Sequence, residues 1–141
     1  MIKALPLVIL MLASVSSFAQ KDSTDITGTW RWMIDKKKPG FTFTKDGWVY
    51  ALEGNNKMGG PPTGDAEGKT FMAYKVGKIP GFYTLDIIKV KIINKKQVEQ
   101  DRVKGLFVYL KDGRMKIALP GPGTPRPTKL VSGETMVFTR Q

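Results

Sequence analysis

After residue 20 the chain alternates apolar and polar positions with a period of two, the pattern of half-buried strands. Trp30, Trp32 and Ile34 alternate with Arg31, Met33 and Asp35, and Phe41 and Phe43 alternate with Thr42 and Thr44. Lys45-Asp46-Gly47 then marks a hairpin turn, because glycine tolerates the positive φ that such turns need. Beyond it Trp48, Tyr50 and Leu52 share one face. A second hairpin runs from residues 103–110 through Lys111-Asp112-Gly113 into 114–119, where Met115, Ile117 and Leu119 face together. Residues 70–76, 84–93 and 135–140 read as further strands.

The 84–93 strand has conflicting phase. Leu85 and Ile87 share parity with Lys89 and Lys91, while Ile88, Val90 and Ile92 hold the other face. A bulge near Ile87 would reconcile the two sets, since one extra residue swaps the faces. Residues 54–69 and 120–128 are rich in Gly and Pro and read as surface loops over an end of the structure, the first as a mobile lid. About eight strands in one domain must stack as a sandwich or close as a barrel.

The first residues carry a different signal. A basic start, an apolar run over residues 4–13, and small residues at Ser17 and Ala19 read as an export signal over 1–19. The apolar run is about half of the ~20 residues a membrane span requires, and no Cys follows the cut to take a lipid anchor. The expected product is a domain over 20–141, periplasmic or secreted.

Composition narrows the chemistry. The chain has no His and no Cys, so a Ser-His-Asp triad, a cysteine nucleophile and disulfides are excluded. The usual nitrogen and sulfur ligands for zinc are missing too. Past the signal the serines are Ser23 and Ser132, and the carboxylates show no paired spacing for acid–base work. The expectation is a non-catalytic protein without cofactor or metal.

Ile26-Thr27-Gly28-Thr29-Trp30 resembles the G-x-W opening of lipocalins and other calycin barrels. The resemblance implies that Gly28 and Trp30 close one barrel end beneath Arg140 of the last strand. Gly105-Leu106-Phe107-Val108-Tyr109-Leu110, Asp112-Gly113 and the run from Met115 to Pro127 are similar to the C-terminal half of a family of small exported bacterial lipocalin-like domains. Its marks are a strand–DG–strand hairpin and a P-G-x-P-R-P loop. Tyr74-Lys75-Val76, Pro80 and Leu85-Asp86-Ile87 resemble the middle of that family. The implied fold is an all-β, eight-stranded antiparallel up-and-down barrel. The opening also resembles avidin barrels, but the polar residues that line a biotin site have no counterpart in residues 31–35.

Two readings of the inward face stay open. Its aromatics either fill a small barrel or line a mouth for one small apolar or amphipathic molecule. The candidate lining is Trp32, Phe43, Tyr50, Tyr109 and Ile117. The charge of +11, with runs at Lys36-Lys37-Lys38 and at Lys89, Lys91, Lys95 and Lys96, supports an alternative. In it the domain docks an acidic polymer or protein, or an anionic membrane surface, and Arg126 offers a fixed guanidinium to an anion. Export and the lack of a base-stacking motif argue against nucleic acid.

Overall fold

Two Asp-Gly turns set the registers of the hairpins on either side of the molecule. The computed structural model describes residues 23–141, and nine strands lie among them. These are β1 (Gly28–Trp32), β2 (Gly40–Phe43), β3 (Val49–Glu53), β4 (Asn56–Gly59), β5 (Thr70–Ile79), β6 (Phe82–Ile93), β7 (Lys96–Tyr109), β8 (Met115–Ala118) and β9 (Met136–Arg140). The export signal expected over 1–19 lies outside the described residues.

Every neighbouring pair is antiparallel, in the order β4-β3-β2-β1-β9-β8-β7-β6-β5. Two meanders are therefore joined where the first strand pairs with the last, Trp30 opposite Arg140. The sheet curls through 200° into a half-barrel, which corrects the closed eight-stranded barrel expected from the sequence. The ninth strand is β4, within the segment read as a loop. It explains the opening: β4 has only four residues, all exposed, and ends at Gly59 and Gly60 with φ of 85° and 81°. That left-handed pair turns the chain away before it pairs along β5. The two margins touch at one bridge, Trp48 opposite Ala73, with the Tyr74 amide donating to the Gly47 carbonyl at 2.9 Å.

The concave side holds the main core. Trp30, Phe43, Val49, Leu85, Phe107, Met115, Ile117 and Phe138 are buried there beside Ile26, which precedes β1. The rings interlock: Tyr83 stacks on Phe107 at 5.1 Å, and Tyr109 meets both edge-on at 5.3 and 5.5 Å. Phe43 contacts Tyr74 at 4.9 Å and Phe41 at 5.8 Å.

Register decides which face of β3 joins this core. The Thr44 amide donates to the Trp48 carbonyl at 2.8 Å across the three-residue turn, which sets Phe43 opposite Val49. Opposed residues share a face. Val49 and Ala51 thus point inward with Phe43 and Phe41, while Trp48, Tyr50 and Leu52 point outward.

β6 is not bulged at Ile87. Its register slips between Lys89 and Val90, where Gln100 on β7 is the unpaired residue. The conflicting phase has a simpler cause, burial of both faces. Leu85 and Ile87 enter the concave core, and Ile88, Val90 and Ile92 form a second cluster with Phe71 on the convex side. Trp48, Ala66 and Ala73 pack on that second cluster. The 54–69 segment is thus no lid, since its Ala66 covers the outside of the sheet.

Candidate functional site

One end of the half-barrel is plugged by residues that precede β1. The Trp30 indole donates to the Ile26 carbonyl at 2.9 Å, and the Tyr109 hydroxyl donates to the Ser23 carbonyl at 2.8 Å. The Tyr74 hydroxyl reaches the Thr44 carbonyl at 2.6 Å. Arg140 lies over the Trp30 ring, its guanidinium carbon 4.5 Å from the centroid. Its Nε is buried without a hydrogen-bond partner, so the ring face supplies part of its stabilisation. Gly28, opposite Phe43, sits at φ 124° with open space beside it. The Thr27 hydrogen bonds hold the Asp25 carboxyl below its ordinary range, with the Arg140 charge adding to them.

The other end is different. Chain direction places Trp32 at the end of β1, Phe41 at the start of β2, Leu119 just past β8 and Met136 at the start of β9. Met72 and Val103 lie towards the same end on β5 and β7. All six are half-buried against the main core. Beneath them Phe43, Phe107 and Ile117 are closed to solvent and belong to one buried cluster, the floor of this end. The end is a shallow apolar mouth on a filled core.

Both long connections leave this mouth uncovered. The 120–128 segment crosses the convex face, because Asp86 faces outward on β6 and holds it there. Arg126 pairs with Asp86 at 2.6 Å and donates to the Gly105 carbonyl at 2.7 Å. The Asp86 contact is an ion pair whose alignment falls short of a hydrogen bond. Arg102 binds the other Asp86 oxygen at 2.9 Å, and its hydrogen bond to Glu99 pushes its pKa up, with Asp86 adding to the effect. The Gly123 amide reaches the Arg102 carbonyl at 3.3 Å. The proline-rich loop is thus strapped outside the sheet rather than over its end.

The five residues read as cavity lining fall in four places. Phe43 and Ile117 belong to the buried floor, and Tyr109 belongs to the plugged end. Trp32 is at the mouth. Tyr50 is on the convex face, where Lys57 Nζ stands 4.0 Å over its ring and Gly60 lies against it. Arg126, read as an anion contact, already holds the internal carboxylate of Asp86.

Met72, Val103, Leu119 and Met136 were not among those candidates. Their signal is positional: each continues an inward-facing parity towards the same end of the sheet. Strand order is needed to see that they meet there. A separate open groove of about 670 Å³ lies between residues 62–67 and the β6–β7 turn, lined by Pro62, Ala66, Glu67, Ile92 and Lys95 among others. Glu67 there accepts from the amides of Asn94 (2.6 Å) and Lys95 (3.2 Å), so it fastens the segment to the turn. Among the described residues no group of three or more metal-capable side chains gathers. Against protein-family models, curated proteins and solved structures, the chain matches none.

Proposed function

We propose that this domain is a non-catalytic, lipocalin-like binder that takes a small apolar or amphipathic molecule at the open end of the half-barrel. The observation that supports the reading is the half-buried cluster of Trp32, Phe41, Met72, Val103, Leu119 and Met136, seated on a closed floor, with the 54–69 and 120–128 segments both fastened to the convex face. Apolar surface held half-exposed on a rigid base gains by being covered, roughly 25 cal/mol for each Å² removed from water. The filled floor favours a ligand that lies across the mouth over one that descends into the core. Arg140 over Trp30 at the opposite end supports the lipocalin-like reading of the architecture.

Titration with an apolar fluorescent probe tests this. Binding should be saturable and should alter tryptophan emission, and Trp32→Ala and Leu119→Gln should each weaken it about tenfold. Ile117→Ala, in the floor, should lower stability by about 2–4 kcal/mol instead. Absence of saturable binding, or equal binding by the mouth variants and the parent, would sink the proposal.

A further inference from the structure

The turn between β1 and β2 carries an exposed apolar tip on a rigid base. Ile34 is 83% exposed and Met33 45%. The base is held from several sides. The Lys37 amide donates to Asp35 Oδ1 at 2.8 Å, and the Lys38 amide to the Asp35 carbonyl at 2.9 Å. The Gly54 amide donates to the Lys37 carbonyl at 2.6 Å, and Arg31 donates to the carbonyls of Lys38 (2.8 Å) and Gly54 (3.2 Å). Such a turn cannot fold its isoleucine back onto the core. It presents Ile34 to solvent, flanked by Lys36, Lys37 and Lys38.

A second tip with the same make-up leaves the sheet at the same end. At the β6–β7 turn Ile93 is 40% exposed and is followed by Asn94, Lys95 and Lys96. Asn94 and Lys95 adopt φ of 51° and 63°, and Glu67 fixes both amides. The acidic groups beside the two tips are engaged within the protein. Asp35 accepts a turn amide, Glu53 pairs with Lys37 at 2.9 Å, and Glu67 caps the second turn. Lys36, Lys38, Lys95 and Lys96 form no ion pair among the described residues.

We infer that this end of the half-barrel docks on an anionic lipid bilayer, with Ile34 and Ile93 entering the headgroup boundary and the four lysines meeting lipid phosphates. A bilayer suits both halves of the pattern. Protruding single isoleucines need a fluid apolar layer rather than a matching pocket, and clustered lysines gain from a negative surface potential. A soluble acidic polymer would account for the lysines and leave the isoleucines without a role. This inference does not rest on ligand binding at the mouth.

Flotation with phosphatidylcholine vesicles, with and without phosphatidylglycerol, tests it on the purified protein. The protein should float with the anionic vesicles and stay behind with the neutral ones. Ile34→Ser combined with Ile93→Ser should weaken binding at least tenfold, as burial of two aliphatic side chains implies. Lys36→Gln combined with Lys38→Gln should weaken it about tenfold, and added salt should reduce binding in the parent. Ile34, Lys36 and Lys38 are exposed, so the lysine pair and Ile34→Ser alone should melt with the parent, and Ile34→Ser alone should still weaken binding. Failure to float with anionic vesicles overturns the inference. So does flotation that the isoleucine pair leaves unchanged, which would mark a purely electrostatic polyanion site.

Discussion

Tyr109 and Tyr74 each send a phenol from the core to a backbone carbonyl near the plugged end, that of Ser23 and that of Thr44. Burial is the main cause that pushes both pKa values above the ordinary 10.0. The ionised phenol is therefore disfavoured in the folded state more than in the unfolded one. The linked stability is complete below the unfolded tyrosine value and is lost as pH rises through the folded values. The midpoint of urea unfolding should accordingly fall as pH climbs above about 10. Combining Tyr74→Phe with Tyr109→Phe should flatten that fall, at a cost of about 1 kcal/mol per hydroxyl at neutral pH. An unchanged alkaline slope in the double variant would show that other groups govern it. At this scale, which side chains are aromatic and inward was legible in the alternation. Which of them keep a hydroxyl anchored was not, because Ser23 and Tyr109 are far apart in the chain.

At the scale of elements, the structure departs most from the local sequence pattern at β6 and at the long connections. β6 looked bulged because a one-sided strand cannot hold Leu85, Ile87, Ile88 and Val90 together. Its neighbours resolve the conflict, since Ala66 and Trp48 pack on its outer face and all four of these side chains find burial. The same outer covering removes the expected lid over 54–69 and takes the 120–128 loop off the end of the structure. Arg126 shows why: a loop read as open to an external anion is drawn to Asp86, an outward-facing carboxylate of β6 whose other oxygen Arg102 holds. Gly40 is a smaller case with a sharp consequence. It opens β2 directly against β1, and a Cβ there would run into the Trp30 carbonyl oxygen and the Arg31 backbone. Gly40→Ala should therefore lower stability by about 1–3 kcal/mol, measurable by thermal or chemical unfolding. Alanine at an open site such as Gly121, which has an ordinary φ, should cost far less. Equal effects would mean that β1 and β2 separate without penalty.

For the whole molecule the informative feature is the incomplete closure between β3–β4 and β5. A closed barrel has no free strand edges, whereas here the margins share one bridge. Tyr74 donates across that bridge, and strand alternation puts the Val76 amide on the same margin beyond it. Hydrogen exchange should therefore protect Tyr74 and leave Val76 fast. Uniform protection along β5 would indicate full closure in solution.

The sequence by itself determined the all-β character, the two Asp-Gly hairpins, the inward parity of most strands and the exclusion of His- and Cys-based chemistry. These follow from local rules: period-two alternation, the φ that glycine allows, and simple presence or absence. Tertiary structure alone decided that the sheet stays open, that both loops strap the convex face, and that the half-buried apolar residues gather at one end. Each of those depends on which distant segments meet. Pairing of β1 with β9, the turn of Gly59-Gly60 away from β5, and the pull of Asp86 on Arg126 are long-range contacts that no local pattern encodes.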